Sequence, residues 1–343
     1  RKQQHNMKRT RTIIMVSMVA IAVISFSCAS CRNVSKSSGS DSTAVASPTG
    51  PAFDADSAYS FTAAQCNFGP RTMNSEAHEK CGEWIIGKFR SYGLTVTTQK
   101  ADLKGYDGTI LKSTNIIASY NPDASTRILI CAHWDSRPWA DNDPDSLNHK
   151  TPVMAANDGA SGVAVMLELA RLVSKDSTLS IGVDFVCFDA EDWGVPTWEE
   201  NIEDSEGSWA LGSKHFADNL PEGYEARYGI LLDMVGGEGA KFYREGLSSQ
   251  FARTIVDKVW SAAKAAGYGS YFPDDEGGYV TDDHVPLNKT ANIPTIDIIP
   301  YYPQCPQSSF GMTWHTTDDT MEHIDRNTLK AVGQTLIQII YTE

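Results

Sequence analysis

Cysteine is scarce and poorly placed for most of its usual roles. The 343 residues hold seven, and the five beyond residue 31 (Cys66, Cys81, Cys131, Cys187 and Cys305) form neither a CxxC metal pattern nor a dense disulfide framework. Positive charge is also short. Lys and Arg total 29 against 43 Asp and Glu, a net charge of −14. No Lys/Arg-rich stripe occurs outside the N-terminus, which excludes a nucleic-acid partner. Internal repeats and heptads are missing, so solenoid and coiled-coil architectures are excluded. Long apolar runs are missing too, apart from "IIMVSMVAIAVISFS" at 13–27, which is too short and too abruptly ended for a permanent membrane span. What remains is a chain with 41% hydrophobic side chains, long enough to bury one large core or two modest ones.

The apolar run follows Lys8, Arg9 and Arg11 and ends at Cys28. A positive region, a hydrophobic region and small residues before a cysteine describe an export signal. Ser27-Cys28 resembles a bacterial lipoprotein cleavage site, with Cys31 as the other candidate for the lipid. Residues 1–31 are therefore expected to be a signal peptide with a lipoprotein-type cysteine. Losing residues 1–27 removes five basic residues and no acid, taking the charge from −14 to −19. Residues 32–52, rich in Ser, Gly and Pro, are expected to form a flexible tether. The expected location is exported: periplasmic or outer-membrane-associated in a Gram-negative bacterium, with the membrane touched only through the lipid.

From residue 53 to 343, helical and strand signals alternate within one domain. Ser75 can cap a helix carrying Cys81, Trp84, Ile85 and Phe89, which Gly93 stops. "STNIIASY", "RILICAHWD", "IGVDFVCFD", "YGILLDM" and "IPTIDIIPY" read as strands. "GASGVAVMLELARLVS", about 248–266 and 325–341 read as helices. Apolar strands without clean alternation, separated by helices, predict an α/β sheet covered on both faces: a single α/β/α sandwich around a mixed, mostly parallel sheet.

Three of these strands run into acids. One ends in His133 and Asp135, one in Asp189, Glu191 and Asp192, one in Asp233. Loops add Asp158, then Asp282, Asp283 and His284, then His315. A single Asp at a strand end is usually a turn or cap residue. So many together repel one another unless a cation or shared protons neutralise them. Carboxylate and imidazole ligands without cysteine suit zinc in an open catalytic site with three protein ligands. In the adjacent pair Glu191-Asp192, one carboxylate can hold the metal while its neighbour moves protons.

At "CAHWDS", "ANDGASGVAVMLELAR", "FDAED", "LLDMVGG", "DDHVPL" and "WHTTDD" the chain resembles the zinc-dependent peptidase family M28. The likeness is strongest to its glutaminyl-peptide cyclotransferase branch of the animal and Bacteroidetes kind. This resemblance implies a zinc aminopeptidase-like fold and one zinc per chain, on Asp158, Asp192 and His315. Glu191 matches the general base and acid, and Asp233 and Asp282 match acids that bond around it. Trp314 matches an aromatic lining the glutamine pocket. Trp193 is a candidate second aromatic at the substrate, with loop packing as its other role. His133 and Asp135 are expected to support the ligands from behind. The implied substrates are peptides and proteins with N-terminal glutamine, cyclised to pyroglutamate with loss of ammonia.

Two-zinc aminopeptidases share much of this pattern, with a second zinc on residues like His133 and Asp233. They need a metal-bound hydroxide, whereas N-terminal glutamine brings its own amine nucleophile. An acid at Asp282 and the Trp314-His315 pair favour the cyclase. Asp192 departs from the Glu of the animal enzymes. The disulfide of those enzymes cannot form, because Val163, Ala164 and Val165 stand where its second cysteine would be. A metal-free binding module is the third reading, disfavoured because every site position holds a competent side chain.

Overall fold

The computed structural model describes residues 47–199, 202–203 and 205–343. The signal peptide with its candidate lipid sites Cys28 and Cys31, and the tether up to residue 46, lie outside the described residues.

The chain order is α1 (Ala55–Cys66), α2 (Glu76–Ser91), β1 (Thr95–Lys104), β2 (Ile110–Tyr120), β3 (Arg127–His133), α3 (Ala160–Val173), β4 (Gly182–Phe188), α4 (Leu211–Asp218), β5 (Gly229–Leu232), α5 (Gly246–Ala265), α6 (His284–Lys289), β6 (Thr295–Ile298) and α7 (Arg326–Ile340). Six strands form one sheet in the order β1-β2-β4-β3-β5-β6. The β4-β3-β5-β6 pairings are parallel, and β1-β2 and β2-β4 are antiparallel. The mixed, mostly parallel sheet covered by helices is the predicted architecture.

Central strands are apolar on both faces because helices cover both. In β3, Ile128, Ile130 and Ala132 join the core under α1, α2, α3, α5 and α7. Leu129 and Cys131 join a smaller core with Phe216 of α4 and Leu287 of α6. The strand period of two thus sends alternate residues into different layers. β1 is different. Its sequence, TVTTQKADLK, alternates between exposed and half-buried, as suits a polar edge strand, and that polarity hid it from an apolar-run reading.

Ser75 does cap α2, accepting from the His78 N–H at 3.1 Å. Asp325 caps α7 through the Asn327 N–H at 2.8 Å. Cys131 and Cys187 are buried free thiols. The tether expected to reach residue 52 needs correction at its end. The Thr49 N–H donates to Gln338 Oε1 at 2.8 Å, and Gln334 Nε2 donates to the Pro51 carbonyl at 3.1 Å. Glutamine amides on α7 satisfy this backbone, so composition alone did not decide whether it packs.

Candidate active site

In parallel α/β sheets the carboxyl ends of adjacent strands open onto one crevice. Here β3 and β4 pair in register from Arg127 with Gly182 to His133 with Phe188, so His133 and Asp189 emerge side by side. β5 delivers Asp233 next to them, anchored by its N–H on the Ile298 carbonyl at 3.2 Å. The loop entering α3 brings Asp158, the loop entering α6 brings Asp282, and the segment before α7 brings Trp314 and His315.

Two triads share Asp158. His315 Nε2 lies 3.5 Å from Asp158 Oδ2 and 3.3 Å from Asp192 Oδ1. On the other side, His133 Nε2 lies 2.9 Å from Asp158 Oδ1 and 3.4 Å from Asp233 Oδ1. In each triad one ligand atom per residue falls within 4.8 Å of the others, close enough to hold an ion. Both oxygens of Asp192 are buried without a hydrogen-bond partner among the described residues, as is Asp233 Oδ1. Unpaired buried carboxylate oxygens facing imidazole nitrogens are a donor set that fits a divalent metal.

Each residue of the Asp158, Asp192 and His315 triad is held from behind. Asp319 accepts from the Asn157 and Asp158 N–H groups at 2.7 and 3.0 Å. Asp135 accepts from the Glu191 and Asp192 N–H groups, both at 3.1 Å. Asp141 lies 3.5 Å from His315 Nδ1 and takes a bidentate pair from Arg137. Arg137 also donates to the Asp192 carbonyl at 3.1 Å. His315 is stacked by Trp314 at 3.8 Å and by Trp209 at 5.8 Å. Sequence reasoning placed Asp135 behind the ligands and missed Asp141, Arg137 and Asp319. "TWHTTDD" holds Asp319, but nothing in the spacing says it folds under Asp158.

Burial dominates the electrostatics. It pushes Glu191 well above the usual carboxylate range, with Asp192, Asp282 and Asp283 adding to the rise and His133 opposing it. Burial, with Asp282 and Asp158, pushes Asp233 up to about 7 against His133. Asp282 is raised by burial as well. For Asp158, His133 and His315 outweigh burial and hold it low. His133 is raised well above its usual value because Asp135, Asp158 and Asp233 outweigh its burial. Among the acids of the cavity, Asp158 thus has a lowered proton affinity and Glu191, Asp233 and Asp282 a raised one.

A cavity of about 270 Å³ opens onto Asp158, Glu191, Asp233, Asp282, Trp314 and His315, with Trp209 and Phe310 among its walls. Trp193 is not among its lining residues. Its indole Nε1 donates to Asp107 at 3.3 Å and its ring meets Trp139 edge-on at 5.3 Å. It also packs with Leu111 and Ala190. These contacts belong to the loop-packing role, the second of the two expected for Trp193. Asp189 also turns away from the cavity, placing Oδ1 2.8 Å from His78 Nε2. Asp283 is fully buried behind Asp282, and His284 sits inside the fold 3.3 Å from Glu245.

Residues 115–340 match Peptidase family M28. Aminopeptidase YwaD of Bacillus subtilis is 28% identical over 282 residues, covering 79% of this chain and 54% of its own length, so the chain spans about half of that relative. The structure of Bacteroides thetaiotaomicron glutaminyl cyclase bound to N-acetylhistamine is 52% identical with a TM-score of 0.83, covering 86% of this chain and 100% of that one. A Zn-dependent exopeptidase from Parabacteroides distasonis is 47% identical with the same TM-score, covering 86% and 100%. A family match over most of the chain, the shared fold and carboxylates gathered at the strand ends lead to one conclusion: the chain belongs to peptidase family M28.

Proposed function

We propose that this enzyme cyclises the N-terminal glutamine of peptides and proteins to pyroglutamate, releasing ammonia. The observation that carries the reading is the third acid. Asp282 faces the same cavity as Glu191 and Asp233, and all three have raised proton affinity. Hydrolysis by a metal-bound hydroxide needs one such base. A cluster that stores and shares protons suits a reaction that takes a proton from an amine and returns it to leaving ammonia. The 52% identical cyclase supports the same choice.

Trp314 would wall the glutamine side chain, and the acids beside it would receive the α-amino group. The amine nitrogen attacks the γ-amide carbon, forming the ring C–N bond. Glu191 accepts the proton that nitrogen sheds and passes it to the departing amide nitrogen, whose C–N bond breaks to give ammonia. Asp233 and Asp282 hold Glu191 near the affinity at which it both takes and gives a proton. Asp158, Asp192 and His315 would hold one zinc, and bound there it would polarise the γ-carbonyl. Holding the amine beside the amide carbon supplies the proximity term.

The second triad, His133, Asp158 and Asp233, favours another reading, a two-zinc aminopeptidase like the Bacillus relative. Incubation of the purified protein with a Gln-initiated peptide, followed by mass, separates the two. Loss of ammonia with the chain otherwise intact is expected; release of free glutamine overturns the cyclase reading. Metal analysis is expected to find one tightly held zinc per chain, and two would favour the peptidase. For the N-terminus we propose an exported lipoprotein anchored at Cys28. Cys28→Ala is expected to move the protein from the membrane fraction to the soluble or unprocessed one.

A further inference from the structure

Two buried basic side chains near the start of the domain take no part in the chemistry above. Both reach the loops that carry it. Arg71 is fully buried, yet among the described residues none of its hydrogen bonds goes to a carboxylate. Its Nε donates to the Trp134 carbonyl at 3.3 Å, Nη1 to the Met154 carbonyl at 2.7 Å and Nη2 to the Ala155 carbonyl at 2.7 Å. Its own carbonyl accepts from the Ser136 N–H at 3.1 Å. One residue therefore grips the loop after β3 on both sides of Asp135 and ties it to the loop leading to Asp158. A buried guanidinium that hydrogen-bonds only neutral carbonyls is an expensive way to add stability, because the buried Asp319 offsets its desolvation only through space, without a hydrogen bond.

His78 grips the third loop. Its Nε2 lies 2.8 Å from Asp189 Oδ1, and its ring stacks on Trp134 at 4.1 Å and 12°. Asp189 accepts further from the Thr114 N–H at 2.6 Å and the Ala190 N–H at 2.9 Å. Ala190 has φ of +53°, a left-handed conformation that a non-glycine residue holds only when its surroundings impose it. That turn aims Glu191. Asp135, held through Trp134 and Ser136, accepts the Glu191 and Asp192 N–H groups. Arg71 thus reaches Glu191 and Asp192 through Trp134, Ser136 and the Asp135 they flank, and His78 reaches Glu191 through Asp189 and the turn at Ala190. Both lie outside the span that matches the family.

We infer that Arg71 and His78 are positioning residues for the proposed reaction, a brace that sets the aim of Glu191 and Asp192 through Asp135 and the strained turn at Ala190. The inference rests on the cyclase reading for the identity of the reaction, and on the contacts alone for the brace. Displacing a reacting group by an ångström is enough to slow a step by about a hundredfold. Neither side chain is among the residues lining the substrate cavity, so the loss should fall on turnover rather than on binding. A separate cavity of about 640 Å³ opens against His78 and Trp134, so water can fill the place of a shortened side chain there.

The test compares His78→Ala, His78→Gln and Arg71→Lys as zinc-loaded full chains on a Gln-initiated peptide. Melting temperature, zinc content, kcat and KM are measured on the same preparations. His78→Ala is expected to lose about tenfold or more in kcat with KM within about twofold and zinc retained. His78→Gln, which still offers an N–H to Asp189, is expected to recover most of that loss. A merely structural role predicts no such recovery. Unchanged kcat in folded His78→Ala, a loss confined to KM, or a Gln variant as slow as the Ala one would each overturn the brace. If His78→Ala does not fold, Arg71→Lys decides. It keeps the charge but cannot span three carbonyls, so kcat should fall with zinc kept, and parental kcat overturns the inference. The parent's product is identified first. Free glutamine there would refute the cyclase reading alone, and the same kcat and KM comparison would then be made on that product.

Discussion

Glu191 and Asp192 are adjacent, both buried, and differ in what their carboxylates face. Asp192 faces His315, with Arg137 Nη1 3.6 Å from its Oδ1 and neither oxygen hydrogen-bonded among the described residues, whereas Glu191 opens to the cavity. Glu191→Gln is expected to keep zinc while reducing turnover by roughly 10²–10⁴. Asp192→Asn is expected to lose zinc and activity together. Metal content measured beside kcat in the same preparations checks both, and a zinc-depleted Glu191→Gln would show the roles reversed. Asp282 raises Glu191's proton affinity, so Asp282→Asn lowers it. A general base acts when ionised. Turnover should therefore rise with pH through Glu191's raised value, and that acid limb should move to lower pH in Asp282→Asn. A pH profile of kcat with an unmoved limb would remove Asp282 from the mechanism. Glu191, Asp192 and Asp233 were legible as acids at strand ends and Asp158, Asp282 and His315 as acids and an imidazole in loops, whereas Trp314 was named only through the resemblance to family M28. Arg137, Asp141 and Asp319 were not, because they act through loops that fold back, and no periodicity reports that.

The elements that carry the site are turns under strain. Among the described residues, the non-glycine, non-asparagine positions with positive φ are Ala155, Ala190, Ala210, Met234 and His315. Ala190 and Met234 adjoin Glu191 and Asp233, Ala210 bonds the Glu191 carbonyl at 3.0 Å, and Ala155 stands three residues before Asp158. Gly159 shows what such a turn demands. Its φ is +100°, and a Cβ there would sit 2.9 Å from the Asp135 carbonyl oxygen and 3.0 Å from His133 Cε1. Gly159→Ala is expected to destabilise the protein by about 1–3 kcal/mol and to weaken zinc retention. A denaturant midpoint and metal analysis would read both, and a parental midpoint would show the turn to be slack. Elements with apolar runs, such as β3, β4 and α3, were readable from sequence. Polar β1 and α1 were not, because β1 forms an edge and α1 packs on α3 and α7 with little apolar periodicity.

At the scale of the whole molecule, the site makes stability depend on protons and metal together. Asp233 and Asp319 are each pushed up to about 7 by burial, and Glu191, Asp283 and Asp297 well above their usual range. Unfolded, these carboxyls lose their protons near 4. Between that value and their folded values the native state binds more protons, so stability falls as pH rises through that window. The raised His133 and His315 act in the same direction, since their contribution is complete below about 6.5 and is lost above it as pH passes their folded values. Metal-free protein is therefore expected to melt lower as pH rises from about 5 to 8. Zinc, which replaces protons on its ligands, should restore more at the upper end. Calorimetry with and without a chelator checks this, and a flat metal-free curve would contradict it. The closure of the chain on itself has a consequence for the order of assembly. The Phe53 N–H donates to Gln334 Oε1 at 2.9 Å, Lys330 bonds the Phe53 carbonyl, and the Phe53 ring fills the notch at Gly333. During synthesis from the amino end, the segment at Phe53 waits for α7, about 280 residues further on. A chain stalled before residue 326 leaves Phe53 and one flank of α3 uncovered, open to proteases and to other chains. Helix α7 is in this sense the latch, and this body stays open until α7 has left the ribosome.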